Sequence, residues 1–194
     1  MKLRHIVSII GLMALPGIAA AHTGLGTGGF GAGLLHPFSG VDHLLAMLTV
    51  GLWAATLGGS AAWKVPMAFI VMLVTGAVLG LSGTHWPLVE SFIAASVLVL
   101  GLAVTLAWRV PAGAGIALVG LFALFHGHAH GAEVPVAAVG YLYVAGMVLA
   151  SGALHLTGFG IGHALRQRPR LLRGGGALVA GAGAWLVAGL LLPG

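Results

Sequence analysis

The run Phe125-His126-Gly127-His128-Ala129-His130-Gly131-Ala132-Glu133 sets three imidazoles and a carboxylate at the end of a strongly apolar stretch. A second cluster, His36-Pro37-Phe38-Ser39-Gly40-Val41-Asp42-His43, opens another apolar segment. Together they hold two of the three acidic residues in the chain. Imidazole and carboxylate without thiolate is a donor set for divalent transition metals. Titratable groups inside a bilayer are costly, so their presence there points to function before architecture.

Spacing says which of these groups can meet. On a helix His126 and His130 are one turn apart, and Glu133 follows on much the same face. His128 points the other way. Gly127 and Gly131 are weak helix formers and are expected to open the helix here. His36 and His43 share a face but are ~10 Å apart on a straight helix, so one ion reaches both only if the chain bends. Pro37 and Gly40 mark the place for a bend, although Pro37 reads equally well as the first residue of a helix.

Glu90, the third acid, follows Pro87 near the end of an apolar segment and reads either as a further ligand or as an interfacial carboxylate. His155, deep in its segment, reads as a hydrogen-bonded partner, and His85 and His163 as interfacial. If the chain is processed before His22, the α-amine and imidazole of that residue form a chelating pair. The candidate metal ligands are therefore His22, His36, Asp42, His43, Glu90, His126, His130 and Glu133. The competing structural reading of the clusters is a buried hydrogen-bond network joining helices.

The elements that must position these groups are set by composition. Of 194 residues, 59% are hydrophobic and 6% are charged, with a mean hydropathy of +1.10, against about 25% charged in globular domains. This predicts an all-α, polytopic membrane helix bundle. Lys2, Arg4 and His5, the apolar run to Leu15 and the small residues before His22 have the layout of a secretory signal over residues 1–21, leaving a transmembrane domain over 22–194. The alternative is an uncleaved helix, but the run is short for a span of ~20 residues.

Beyond it lie six apolar segments, 34–57, 64–83, 88–108, 112–128, 134–161 and 174–192. If residue 22 lies outside, alternate connections carry Lys64, Arg109, Arg166, Arg168, Arg170 and Arg173 to the inside, as the positive-inside rule asks. Small residues at four-residue spacing, such as Gly76/Gly80 and Gly176/Ala180, predict close helix packing.

Several functions are excluded or disfavoured. The basic residues are scattered and form no nucleic-acid-binding face. Without cysteine there are no disulfides or thiolate clusters. No phosphate-binding GxxxxGK[ST] run and no HExxH metalloprotease motif occurs.

The two clusters together resemble the HupE/UreJ family of nickel and cobalt permeases, which carries an HX5DH motif early and an FHGxAHGxE motif later. Here these are His36, Asp42 and His43, and Phe125 through Glu133, with His128 at a variable position. The resemblance extends over nearly the whole chain. It implies His126, His130 and Glu133 as metal ligands, and import of Ni²⁺, with Co²⁺ second, across a bacterial inner membrane from a periplasmic N-terminus. It also implies a cytoplasmic metallochaperone or metalloenzyme maturation pathway as receiver, no prosthetic group and no enzymatic activity. Nickel rests on the family, because the affinity order at nitrogen and oxygen ligands also favours copper. The competing classes are a His-ligated haem protein and an intramembrane metallohydrolase.

Overall fold

Backbone N–H and C=O groups in lipid find partners only within the protein, so long apolar segments become helices. A computed structural model describes residues 29–135 and 138–192, and all regular structure among them is helical. The helices are α1 (Phe30–Ser39), α2 (Val41–Leu57), α3 (Ala61–Leu81), α4 (Val89–Thr105), α5 (Ala112–Ala132), α6 (Gly140–Ala164) and α7 (Pro169–Leu191). The expected signal segment, and His22 with it, lies outside the described residues.

The six apolar segments correspond to these helices with two corrections. The first segment is broken: α1 and α2 meet at 87°. Pro37 lies inside α1 rather than at its start, where it withholds the N–H that would bond the Gly33 carbonyl. The helix ends soon after, and Gly40 is extended at φ −100 and ψ 120. The second correction is α4, whose 17 residues reach roughly 25 Å, less than the ~30 Å of a hydrocarbon core. Helices α3, α5, α6 and α7 are each long and apolar enough to cross.

Glycine decides which helices pair. A Cβ on Gly76 or Gly80 of α3 would run into the carbonyls of Leu124 and His128 on α5, and one on Gly127 or Gly131 of α5 into those of Leu73 and Ala77 on α3. These two helices therefore touch backbone to backbone, as small residues permit in lipid. Gly127 and Gly131 do not open α5, which is helical from end to end. The same device joins α2 to α6 through Gly51 and Gly158, and α4 to α7 through Gly101 and Gly176. Trp53, Phe69, Leu73, Leu100 and Met147 fill the centre of the bundle, while Trp63, Leu156, Leu178 and Trp185 face outward.

Charge is sorted along the bundle. Asp42, Glu90 and Glu133 stand at the start of α2, the start of α4 and the end of α5, which share one end. Lys64, Arg109, Arg166, Arg168, Arg170 and Arg173 stand at the other, where Arg109, Arg166 and Arg173 border a common cavity. The first is called the acidic end below, the second the basic end.

Candidate metal site

The bend between α1 and α2 does what a straight helix cannot. It turns His36 back so that its ring centroid lies 6.3 Å from that of His43. Gly40 leaves space for this turn: a Cβ there would stand 2.8 Å from Asp42 Oδ1 and 3.1 Å from His43 Nδ1.

Helix α5 supplies the other half. Its residues 126 and 130 face α2 while 127 and 131 face α3, so one helical repeat presents imidazoles on one side and bare backbone on the other. The rings of His36, His130, His43 and His126 follow one another in edge contact, with successive centroids 4.7, 4.4 and 4.7 Å apart. Ligand atoms of His36, His130 and Glu133 lie within 4.8 Å of one another, a spacing from which three donors can converge on one ion. The structure brings His36 to His130 and Glu133, whereas the family resemblance implies His126 with the same two residues. Glu133 caps α5 and meets His36, whereas His126 lies about two turns deeper and meets His43.

Exposure is greatest at the mouth and does not fall ring by ring. The Glu133 side chain is 53% exposed and that of His36 26%, the His43 side chain 10%, and His130 and His126 are fully buried. His36 Nε2 donates to Glu133 Oε2 at 3.0 Å. This hydrogen bond holds the Glu133 carboxyl below the usual carboxylate range. Glu133 lies one residue past α5, outside the spanning helix.

Outer contacts fix two of the rings. Asp42 Oδ1 accepts from His43 Nδ1 at 2.7 Å, which leaves His43 Nε2 as the nitrogen with a free lone pair. Ser96 Oγ gives its proton to the Ile93 carbonyl at 2.7 Å, so it accepts from His126 Nε2 at 2.9 Å and leaves His126 Nδ1 free. Both free nitrogens, and both of His130, are buried without a hydrogen-bond partner in the protein. Buried polar atoms are nearly always paired. A neutral His130 ring keeps a proton on one of its two nitrogens, so the three rings offer three lone pairs, a donor set suited to a cation, with the second nitrogen of each fixed ring held as metal-ligating histidines require.

The remaining candidates separate. Asp42 bonds His43 and orients its ring. Glu90 is exposed in the first turn of α4 and lies outside the His36, His130 and Glu133 set. His128 stacks on Trp86, with centroids 4.5 Å apart and planes at 14°, and its Nε2 donates to the Thr84 carbonyl at 2.7 Å. It ties α5 to the α3–α4 connection. His85 and His163 are exposed, and Arg166 donates to His163 Nε2 at 2.9 Å. His155 differs from the expectation of a hydrogen-bonded partner: it is buried, and neither ring nitrogen has one. Ser96 and Tyr143, whose ring lies 5.6 Å from that of His36, were not among the candidates. A lone serine or tyrosine in an apolar segment carries no signal of its own.

Fold and site together define a multi-pass helical membrane protein with an imidazole and carboxylate cluster opening at its acidic end. The family model described as HupE / UreJ protein matches residues 10–186, and the chain belongs to that family. It is similar to the Protein HupE of Rhizobium leguminosarum bv. viciae, with 45% identity over 191 residues, covering 97% of this chain and 100% of the relative. No solved structure matches it.

Proposed function

We propose that this protein imports a divalent first-row transition ion, nickel first and cobalt second, from the acidic end of the bundle to the basic end. The observation that carries this reading is the ladder from partly exposed Glu133 and His36 at the mouth to fully buried His130 and His126. An ion entering along it exchanges bound water for protein donors a few at a time, which lets it enter without a single large dehydration barrier. Carboxylate at the mouth attracts the cation, and neutral imidazoles below it suit a borderline metal.

The positive-inside rule assigns the basic end to the cytoplasm. The acidic end and the mature N-terminus then face the periplasm of a bacterial inner membrane. An inside-negative potential contributes about 2.3 kcal/mol per charge per 100 mV, hence about 4.6 for a divalent ion. Facilitated diffusion is sufficient on that account, with proton coupling as the alternative mechanism. A cytoplasmic metallochaperone or metalloenzyme maturation pathway is the expected receiver. Adjacent rings at 4.4 to 4.7 Å in edge contact leave no slot for a porphyrin between them, which weighs against the haem reading.

The test is elemental analysis of cells expressing the wild type, His130→Ala and Asp42→Ala, challenged in parallel with Ni²⁺, Co²⁺ and Zn²⁺. Selective nickel accumulation lost in both variants supports the proposal. Equal accumulation of all three metals in every strain, and in cells lacking the protein, rejects it.

A further inference from the structure

His155 is absorbed by nothing described so far. It is 3% exposed, and both its ring nitrogens are buried without a partner. An imidazole left unpaired in a dry interior costs free energy that an apolar side chain of similar size would not. It stands roughly 22 Å along α6 from the acidic end, whereas His126 stands roughly 9 Å along α5 from the same end, at 1.5 Å per residue. His155 is therefore the next imidazole on the way to the basic end.

One side chain separates the two. Phe69 of α3 is fully buried, its ring centroid 6.0 Å from that of His126 and 4.9 Å from that of His155, the latter at 87°. His155 also borders an open groove of about 300 Å³ on the outer face between α3 and α6, lined by Pro66, Phe159 and the outward-facing Trp63 and Leu156. That space gives the His155 ring somewhere to turn.

We propose that His155 is an inner transit ligand for the divalent metal ion, reached from His126 when the Phe69 ring moves aside. The proposal rests on the import reading above and extends it by one station. A single imidazole with no carboxylate beside it binds weakly, which is what conduction asks of a site the ion must leave. The basic residues beyond it then discourage the cation from lingering at the exit.

The experiment separates binding from passage. Purified wild type and His155→Leu are titrated with Ni²⁺ in detergent, then compared for Ni²⁺ entry into proteoliposomes under an inside-negative potential. The expected result is binding at the mouth within about twofold of wild type and entry reduced by about tenfold or more, one imidazole–metal contact being lost only on the path. Entry at the wild-type rate overturns the proposal.

Because the chain has no cysteine, His155→Cys and His155→Gln make a second test should the leucine variant fail to fold. The thiol keeps a ligand and makes Ni²⁺ entry sensitive to block by Cd²⁺, while the amide keeps polarity and conducts poorly. Wild-type entry through His155→Gln, or indifference of His155→Cys to Cd²⁺, overturns the assignment. Wild-type protein that neither binds nor conducts Ni²⁺ rejects the import reading itself, an outcome distinct from these.

Discussion

Asp42 Oδ1 lies 2.7 Å from both the main-chain nitrogen and the Nδ1 of His43, so one carboxylate oxygen fixes the backbone and the ring of the next residue at once. The consequence is a defined tautomer, with His43 Nε2 turned toward the imidazole ladder. Asp42→Asn retains an acceptor of the same shape but loses the charge that favours the Nδ1 proton. Ni²⁺ affinity is expected to fall about 10- to 100-fold, the range for orienting partners of metal-bound histidine, with the thermal transition unchanged. A titration of the purified variant checks this; wild-type affinity would show that His43 needs no carboxylate to hold its ring.

The glycines make a prediction about stability alone. Gly131→Ala places a methyl group against the Ala77 carbonyl on α3, and backbone cannot swing aside as a side chain can. A loss of about 1–3 kcal/mol is expected, as for other overpacked sites. Gly152→Ala in α6 meets nothing within 4 Å and relieves the entropy of a helical glycine, so it is expected to be neutral or stabilising by about 0.5–1 kcal/mol. Thermal unfolding in detergent ranks the two; equal transitions would mean that α3 and α5 do not depend on their close approach.

What the sequence disclosed, and what it withheld, follows from contrast. Asp42, His43, His126, His130 and Glu133 stand out because polar groups are rare against this apolar background, and the need for a bend between His36 and His43 follows from helical rise alone. Small residues four apart signalled close packing, but not which helix each would meet. Ser96, Tyr143 and Phe69 are ordinary members of apolar segments, and only packing puts them beside an imidazole. The placement of His126 beside His43, with Glu133 beside His36, is also a tertiary fact, because α5 could present its ladder to α1 and α2 at several heights. Glu90 shows the converse: a rare acid in sequence that ends exposed at the start of α4.

Acid should leave the Glu133 carboxylate charged at pH values where an ordinary carboxyl is already protonated. The hydrogen bond from His36 holds the Glu133 carboxyl below its ordinary range, so this depressed group keeps its charge on acidification. Its contribution is present above the unfolded-state carboxylate pKa and is lost only as pH falls through the lowered folded value. Metal must displace any protons held by its ligands, and this carboxyl holds none until the pH falls below the ordinary carboxylate range. Glu133→Gln is therefore expected to bind less tightly than wild type by the same factor from pH 7 to about pH 5. Parallel titrations of the two proteins over this range check it. A wild-type advantage that shrinks steadily toward pH 5 would mean that the carboxyl titrates there and that its hydrogen bond to His36 does not hold it charged.

His128 provides the sharpest division within a single motif. Three histidines occur at alternate positions from 126 to 130, yet the middle one faces Trp86 and the Thr84 carbonyl rather than the ladder. His128→Phe preserves a ring to stack on Trp86 and removes only the hydrogen bond. It is expected to bind Ni²⁺ with wild-type affinity while losing about 0.5–1.5 kcal/mol of stability, the net worth of one such bond. His130→Ala, two residues away, removes the ring shared by both halves of the ladder and is expected to abolish measurable binding while leaving the fold intact. Parallel titrations and melting curves decide the matter. Loss of affinity in His128→Phe as large as in His130→Ala would mean that α5 turns its other face to the ion, and that the ladder between α2 and α5 is packing rather than path.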